Sequence, residues 1–428
     1  MKFQIYTLGC KVNTYESNVM RDALLNKGYF EVGLKEKADI TIINTCTVTN
    51  TADSKSMKVI RQAIRRNENA IIVVCGCLVQ NKKEEVSKID GVDIVIGNIN
   101  KSKIVDYIEK YIEEKKQEVD VRNIMDTNFE PMMLNNFNKT RAFVKIQDGC
   151  NNFCSYCIIP YTRGNVRSKD KQSVLKEIQL LVDEGHKEVV LTGIHTGNYG
   201  AEFADYKFAD LLKDIVKIDK LERLRISSIE ITEINDDVME VIKENNILVD
   251  HMHIPLQSGS DAVLKRMNRK YDKEYFINKI KKLRKIRPNI SITTDVIVGF
   301  PGETEEEFEE TIETIKKIKF TKLHVFPYSK REGTKAAIMD GQVDENIKKK
   351  RVKILLQLSK ELEYNYMEKF IGEKVIFIPE MVKEEYIIGH TGNFLNVKYR
   401  GNKNDLNKDI EVKINNIEYP YCIGSTID

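Results

Sequence analysis

Short β-forming runs alternate with helical stretches along most of this chain, and this alternation constrains the fold more than any other feature. Over residues 1–120 the predicted strands are Phe3–Leu8, Ile40–Asn44, Ile71–Val74 and Asp93–Ile96. Helical patterns such as Glu16–Lys27 and Lys55–Asn67 separate them. Strands that alternate with helices pair in parallel, so an α/β domain with a flavodoxin-like or Rossmann-like sheet is expected here.

A second series of strand and helix units begins at Arg141. Its predicted strands are Ala142–Gln147, Glu188–Thr192, Arg223–Ser227, Met252–Leu256, Ser291–Val298 and Lys322–Phe326. Six units predict a partial (β/α)6 barrel, which is open compared with the closed barrel of eight units. The polar residues 121–140 between the two series are interpreted as a linker.

The last part of the chain has a different pattern. A long charged helix, about Val343–Phe370, leads into the predicted strands Lys374–Pro379, Tyr386–Thr391, Leu395–Tyr399 and Ile410–Ile417. Short strands separated by Asn and Gly turns indicate a small OB-like β-barrel. The predicted domains are therefore residues 1–120, 136–368 and 370–428.

Composition excludes several classes of protein. Hydrophobic residues make up 41% of the chain and charged residues 31%, which excludes a disordered or collagen-like protein. No apolar run approaches the roughly 20 residues that a membrane-spanning helix needs. Met1–Tyr6 lead into a predicted strand without the apolar core of a signal peptide. We expect a cytoplasmic protein without membrane association, and a monomer.

Three of the eight cysteines form the strongest local motif, Cys150-Asn-Asn-Phe-Cys154-Ser-Tyr-Cys157. The motif follows the first strand of the predicted barrel, at the end where barrel active sites lie. Thiolates favour soft metals and iron–sulfur clusters. A zinc site needs a fourth ligand, and no further Cys or His lies in this loop, whereas three thiolates on a four-iron cluster leave one iron open.

Three more cysteines each follow a predicted strand of the N-terminal domain: Cys10, Cys46 and Cys77. Because the carboxyl ends of parallel strands meet at one edge, these thiols are expected to converge where α/β sheets bind ligands. Cys75 lies inside its strand and Cys422 is isolated, so both are interpreted as core residues.

The CxxxCxxC loop resembles the motif of the radical S-adenosylmethionine (SAM) superfamily. The resemblance implies that the open iron chelates the amino and carboxylate groups of SAM, and that an electron cleaves SAM to a deoxyadenosyl radical. Tyr156 matches the aromatic residue usual before the third cysteine. The other candidate cofactor-binding residues, some of which also have ordinary structural explanations, are Gly193, His195, Ser228, Glu230, Gln257 and Gly299.

Together, the two cysteine groups and the domain order resemble the methylthiotransferase family along essentially the whole chain. That resemblance implies two 4Fe–4S clusters and a C-terminal barrel of the TRAM type. The cluster on Cys10, Cys46 and Cys77 would carry or donate sulfur. One SAM molecule would methylate that sulfur, and another would supply the radical that activates a substrate C–H bond. An electron donor such as flavodoxin or ferredoxin is also implied.

The segment Leu8–Ser17 resembles the branch of the family that acts on threonylcarbamoyladenosine in tRNA, and Phe143–Gly149 and Ile158–Gly164 fit the same branch. This branch would attack the adenine C2–H bond beside the anticodon. The alternatives are a methylthiotransferase acting on isopentenyladenosine in tRNA or on an aspartate of ribosomal protein S12. A non-catalytic, metal-binding, RNA-binding protein is the alternative from another class.

Charge gives mixed support for a tRNA partner. The chain has 68 basic and 65 acidic residues, yet residues 371–428 have seven basic and nine acidic residues. This acidic balance argues against the C-terminal barrel as the main RNA-binding surface. Candidate phosphate contacts on one face of a predicted helix are Lys55, Lys58, Arg61 and Arg65. Phe394, Tyr399 and Tyr386 are possible stacking platforms for bases or, equally, core residues.

Overall fold

The computed structural model describes residues 1–125, 127–135, 137 and 139–426, and its N-terminal domain is a parallel sheet covered by helices on both faces. The strand order is β2-β1-β3-β4-β5-β6. The strands are β1 Lys2–Thr7, β2 Phe30–Glu31, β3 Ile40–Thr45, β4 Ile71–Gly76, β5 Ile94–Ile96 and β6 Glu118–Asp120. The helices are α1 Lys11–Asn26, α2 Asn50–Arg66, α3 Cys77–Asn81, α4 Lys83–Ser87 and α5 Ile104–Glu114. The expected Rossmann-like α/β arrangement is confirmed.

The central domain is a six-stranded half-barrel whose parallel strands follow one another in chain order. Its two three-stranded sheets, β11-β10-β7 and β12-β13-β14, are joined by the single bridges Leu224–Leu248 and Ser228–His253. The strands are β7 Arg141–Lys145, β8 Gln147–Asp148, β9 Arg167–Ser168, β10 Glu188–Thr192, β11 Arg223–Ile226, β12 His251–His253, β13 Ser291–Val298 and β14 Lys322–Pro327. The strands β8 and β9 form a separate antiparallel ribbon.

Helices pack on the outside of the half-barrel, and apolar side chains of both layers form one core. These helices are α7 Lys171–Asp183, α8 Phe208–Ile215, α9 Asp236–Glu244, α10 Asp261–Arg266, α11 Lys273–Ile286 and α12 Glu305–Ile318. The short helix α6 Ile159–Arg163 lies instead against α3 of the N-terminal domain. The predicted strand Met252–Leu256 is shorter in the structure and ends at His253. Pro255 has no N–H to donate to a neighbouring strand, which explains the early end.

The C-terminal domain is a closed five-stranded barrel in the order β15-β16-β17-β19-β18. Helix α13 Glu345–Glu368 precedes the strands β15 Lys374–Lys383, β16 Tyr386–Thr391, β17 Asn396–Arg400, β18 Ile410–Glu418 and β19 Tyr421–Thr426. The sequence predicted four of these strands; the additional one, β19, contains the buried Cys422. No helix among the described residues has the length and apolarity to cross a membrane.

The C-terminal barrel contacts the central domain through ion pairs. Asp409 pairs with Lys187 at 2.6 Å and with Arg223 at 2.9 Å, and Glu380 pairs with Arg141 at 3.2 Å. The sheets fall within the predicted ranges 1–120, 136–368 and 370–428, whose exact limits stay a prediction. Residues 136 and 428, two of those limits, lie outside the described residues.

Candidate functional site

The loop that carries Cys150, Cys154 and Cys157 follows the ribbon strand β8, and all three thiols are free. The Cys157 amide donates to the Cys154 carbonyl at 2.9 Å, which curls the loop. Burial and the neighbouring thiols Cys154 and Cys150 raise the pKa of Cys157 to about 12. Three soft sulfur donors in one short loop match the ligand set of a four-iron cluster.

Gly149 sets the position of Cys150. Its φ of +74° lies in the left-handed region, and a Cβ there would overlap the carbonyl oxygen of Asn165. That crowding explains why the residue before the first cysteine of the loop lacks a side chain.

Gly149→Ala is expected to lower reductive SAM cleavage by about 100-fold, since a displacement of about 1 Å at a reacting centre has effects of that size. The assay is 5′-deoxyadenosine formation by reconstituted protein. Gly185→Ala is the matched control, because Gly185 also has a positive φ of +95° but no atom within 4 Å of the added Cβ. Equal activity of the two variants would contradict this role of Gly149.

His195 and Glu230, two predicted cofactor-binding residues, lie beside this loop. His195 Nδ1 is 3.7 Å from Cys150 Sγ, and its Nε2 pairs with Glu233. Burial would lower the pKa of His195, but hydrogen bonds with Cys150 and Glu233 raise it to about 10. Glu230 is connected to the loop only through Arg269. It pairs with Arg269, which donates a hydrogen bond to Cys154 Sγ at 3.3 Å. The sequence carried no signal for Arg269.

The remaining predicted cofactor-binding residues have different surroundings. Gly193 and Ser228 line a large cavity, whereas Tyr156 packs in a small apolar cluster that includes Phe300. Gln257 has a φ of +66° and bonds to β13 through its backbone. Gly299 donates its amide to Glu303, and the Lys348 side chain lies against its Cα. Gln257 and Gly299 do not line this cavity, and a role for either in SAM binding stays a prediction.

The second cysteine group lies at the carboxyl edge of the N-terminal sheet. Cys10 caps α1 after β1, Cys46 follows β3, and Cys77 begins α3 after β4. Burial raises the pKa of Cys46 to about 11, and Cys77 and Cys10 raise it slightly further. A Cβ on Gly9 would lie 2.9 Å from Cys46 Sγ, so Cys46 packs against the residue that precedes Cys10. Cys75, by contrast, is fully buried inside β4 among apolar side chains. The donor set again fits an iron–sulfur cluster.

A fully buried arginine of the central domain reaches this edge. Arg163 Nε donates to Cys77 Sγ at 3.3 Å, and its Nη2 donates to Asn13 Oδ1 at 2.7 Å. Asn13 also donates to the Thr45 carbonyl at 2.9 Å, which ties the strand end before Cys46 to α1. Arg163 falls within the stretch Ile158–Gly164, but the sequence did not indicate its partners.

The same arginine belongs to a buried network of charges between the two domains. Arg163 Nη1 lies 2.5 Å from Glu16 Oε1, and Glu16 also accepts from Lys101 and from Lys145, the latter at 2.8 Å. Burial would raise the pKa of Glu16, but Arg163, Lys101 and Lys145 hold it well below its ordinary value. Breaking one partner of such a buried network leaves uncompensated charge, so the network fixes the docking of the two domains.

A cavity of about 740 Å³ lies between the half-barrel, the N-terminal domain and the C-terminal barrel. Phe326 and Phe394, both on its wall, are 44% and 37% exposed, and Phe326 offers a face for stacking. Phe394 lies between the rings of His251 and His390, at centroid distances of 4.8 and 4.7 Å. Other lining residues are Cys10, Lys11, Gly193, Ser228, His253, Asp295 and His324.

His253, Asp295 and His324 form a polar cluster in this cavity. Asp295 Oδ1 lies 3.3 Å from His253 Nε2 and 3.4 Å from His324 Nδ1. Burial would raise the pKa of Asp295, but hydrogen bonds from the two histidines hold it well below its usual range. The three donor atoms lie within 4.8 Å of one another, so the cluster has the ligand types for a divalent cation, although hydrogen bonding accounts for its geometry equally well.

The predicted RNA-contacting side chains Lys55, Lys58, Arg61 and Arg65 are all exposed on α2. Their contact with phosphate stays a prediction. Of the three aromatic candidates, Tyr399 is a core residue at 2% exposure, and Tyr386 is half-buried beneath the ammonium of Lys398. Phe394 lines the cavity, but its ring is stacked with His251 and His390.

Two family models match the chain: "Radical SAM superfamily" over residues 144–315 and "Uncharacterized protein family UPF0004" over residues 2–97. A Bacillus subtilis (strain 168) protein named threonylcarbamoyladenosine tRNA methylthiotransferase MtaB is 47% identical, over 99% of this chain and 95% of that protein. An Aquifex aeolicus (strain VF5) protein of the same name is 38% identical, over 94% and 98%.

A Clostridium tetani (strain Massachusetts / E88) protein named tRNA-2-methylthio-N(6)-dimethylallyladenosine synthase is 37% identical, over 96% of this chain and 93% of that protein. Among solved structures, the radical SAM methyltransferase TsrM from Kitasatospora setae, with cobalamin and a [4Fe–4S] cluster bound, has a TM-score of 0.58. That match covers 79% of this chain and 77% of the other at 14% identity, so it shows a shared fold.

Proposed function

Because the chain belongs to the radical SAM methylthiotransferase family, we propose that it converts N6-threonylcarbamoyladenosine beside the tRNA anticodon to its 2-methylthio derivative. The identity of 47% to the Bacillus subtilis protein, against 37% to the Clostridium tetani dimethylallyladenosine enzyme, favours this substrate. One observation carries the chemistry: the chain holds two separate groups of three free cysteines, and one member of the N-terminal group lies on the wall of the cavity. Cys10 lines that cavity with Gly193, and His195, two residues further on, contacts Cys150.

The proposed cofactors are SAM and two 4Fe–4S clusters, one at Cys150, Cys154 and Cys157 and the other at Cys10, Cys46 and Cys77. When bound, the first supplies the electron that cleaves SAM to a radical, and the second supplies the sulfur. Arg269 donates to Cys154 and pairs with Glu230, and so orients the loop. Arg163 of the central domain similarly orients Cys77 of the N-terminal domain.

The cavity is where we place the modified adenosine. Phe326 presents an exposed aromatic ring on which a base flipped out of the anticodon loop stacks. Gly193 and Ser228 line the cavity at strand ends, where we propose that SAM lies. We also propose that an electron donor such as flavodoxin or ferredoxin reduces the protein and that the protein is cytoplasmic.

The exposed face of α2 is proposed to contact tRNA phosphates. The double variant Lys58→Gln/Arg61→Gln is expected to weaken tRNA binding and to lower the slope of log K against log salt by about 1 to 2, since each phosphate contact releases counterions. Titrations by fluorescence anisotropy at several salt concentrations measure both effects. Lys281→Gln/Lys282→Gln removes the same charge from the exposed surface of α11. Equal salt slopes for the two variants would exclude α2 from the interface.

Competing substrates test the function. Reconstituted protein receives stem-loops with threonylcarbamoyladenosine or isopentenyladenosine, or a peptide of ribosomal protein S12, and the products are analysed by mass spectrometry. The proposal expects a methylthio group on the first substrate, and product only on one of the others would overturn the substrate assignment. Roughly eight irons per chain, with acid-labile sulfide, are expected, whereas about one zinc without sulfide would favour the non-catalytic alternative.

A further inference from the structure

Lys11 is the residue immediately after Cys10, and its side chain lies on the wall of the cavity. In the described part of the chain it has no ion pair and no side-chain hydrogen bond, which distinguishes it from the other cations near this space. Those have carboxylate partners: Arg141 with Glu380 at 3.2 Å, Arg225 with Glu188 at 2.6 Å and Lys322 with Glu363 at 2.9 Å.

Positive charge is concentrated around Lys11. Arg141 and Arg225 lie around Phe394, which lines the same cavity as Lys11. Arg225 is only 3% exposed, and both of its terminal guanidinium nitrogens lack a hydrogen-bond partner. Its guanidinium carbon and that of Arg141 lie 4.9 and 5.1 Å from the centre of the Phe394 ring. An anion in the cavity would relieve the repulsion among these positive charges.

The acidic groups facing this region do not pair with Lys11. Asp295 lines the same cavity, but it is held between His253 and His324. Glu188 and Glu380 are bonded to Arg225 and Arg141. His251, on the neighbouring strand β12, is kept neutral because burial and nearby positive charges hold its pKa well below the usual value. The Lys11 ammonium group is therefore available to pair with an anionic group of a ligand in the cavity.

The proposed substrate carries the complementary charge. In adenine, both C2 and C6, the carbon that bears N6, adjoin N1, so a substituent on N6 lies beside the edge that contains C2–H. The threonylcarbamoyl group ends in a carboxylate, whereas an isopentenyl group at the same nitrogen is neutral. With C2 directed at the Cys10 sulfur site, the N6 substituent is near the residue that follows Cys10.

We propose that Lys11, in the field of Arg141 and Arg225, binds the carboxylate of the threonylcarbamoyl group and thereby selects this substrate over adenosines with a neutral N6 substituent. This inference rests on the proposed function and assigns a specificity-determining role to one side chain. A charge-assisted hydrogen bond with a carboxylate accounts for a preference of about tenfold or more.

The test compares two anticodon stem-loops, one with threonylcarbamoyladenosine and one with its carboxylate converted to the methyl ester. Dissociation constants are measured anaerobically by fluorescence anisotropy with the full, reconstituted chain. Wild type is expected to bind the acid about tenfold or more tightly than the ester, and Lys11→Gln is expected to bind both equally, at the affinity of the ester. Lys11→Arg is expected to keep most of the preference.

Lys58→Gln is the control, because loss of a surface lysine weakens both ligands alike. Equal binding of acid and ester by wild type, or an undiminished preference in Lys11→Gln, would overturn the inference. Iron content of each variant shows whether the neighbouring Cys10 site is intact. Methylthiolation of the acid stem-loop by wild type, measured on the same preparation, tests the proposed function separately, since binding preference and product formation are independent readouts.

Discussion

Cys77→Ala is expected to abolish methylthio transfer while reductive cleavage of SAM stays within about threefold of wild type. Cys77 begins α3 at the sheet edge and accepts a hydrogen bond from Arg163. The three cysteines of the central domain are in a separate loop, so the radical chemistry retains its own ligands. Product formation and 5′-deoxyadenosine are measured in the same anaerobic reaction, and iron is expected to fall by about half.

Cys75→Ala is the matched control, because this cysteine is two residues away and fully buried in β4. The substitution removes a sulfur atom from an apolar core, which lowers the free energy of unfolding. It leaves all proposed cluster ligands in place. The account expects full iron content and normal product from this variant. A Cys77→Ala protein that still forms the methylthio product, or a Cys75→Ala protein that loses half its iron, would contradict the assignment of the second cysteine group.

Glu16→Gln is expected to destabilise the protein by about 3–5 kcal/mol, the range for breaking a buried ion pair. Glu16 is fully buried and accepts from Lys101, Lys145 and Arg163, which then lack their main counter-charge. Calorimetric unfolding of the apoprotein under reducing conditions measures the loss. Glu109→Gln, which breaks the exposed pair with Lys27, is expected to leave the free energy of unfolding nearly unchanged.

The effect of Glu16 depends on pH in a defined direction. Its pKa in the folded protein is held well below the ordinary value of 4.5. Its contribution to stability is therefore fully present above pH 4.5 and is lost as the pH falls towards the folded pKa. Below about pH 4.5 the difference in unfolding free energy between wild type and Glu16→Gln is expected to shrink by about 1.4 kcal/mol per pH unit. If the difference in unfolding free energy between wild type and Glu16→Gln does not change with pH, that result would contradict an ionised Glu16 stabilised by three cations.

The main strands were predictable because each is a continuous β-forming run bounded by helical patterns. The strands β2, β6, β8 and β9 are two or three residues long and have no periodicity to detect. The strand β19 depends on closure of the barrel, where it pairs with β17 and β18. The convergence of Cys10, Cys46 and Cys77 was accessible to sequence reasoning because parallel topology alone brings strand ends together.

Buried charges were not predictable, because a sequence shows a charge but not its partner. The basic run at residues 348–353 has the composition of a solvated helix face, yet Lys348 and Arg351 are buried. Arg351 pairs with Glu303 at 2.6 Å, which also accepts the Gly299 amide. Arg163 and Arg269 were missed for the same reason: each lies far along the chain from the cysteine that it contacts.

Nucleoside analysis of cellular tRNA tests the central claim most directly. A strain that lacks the gene is complemented with wild type or with Cys154→Ala, and its tRNA is digested and analysed by mass spectrometry. The account predicts 2-methylthio-N6-threonylcarbamoyladenosine with wild type, and only the unthiolated nucleoside in the deletion strain and with Cys154→Ala. Undiminished methylthio product in the deletion strain, or its restoration by Cys154→Ala, would contradict the account.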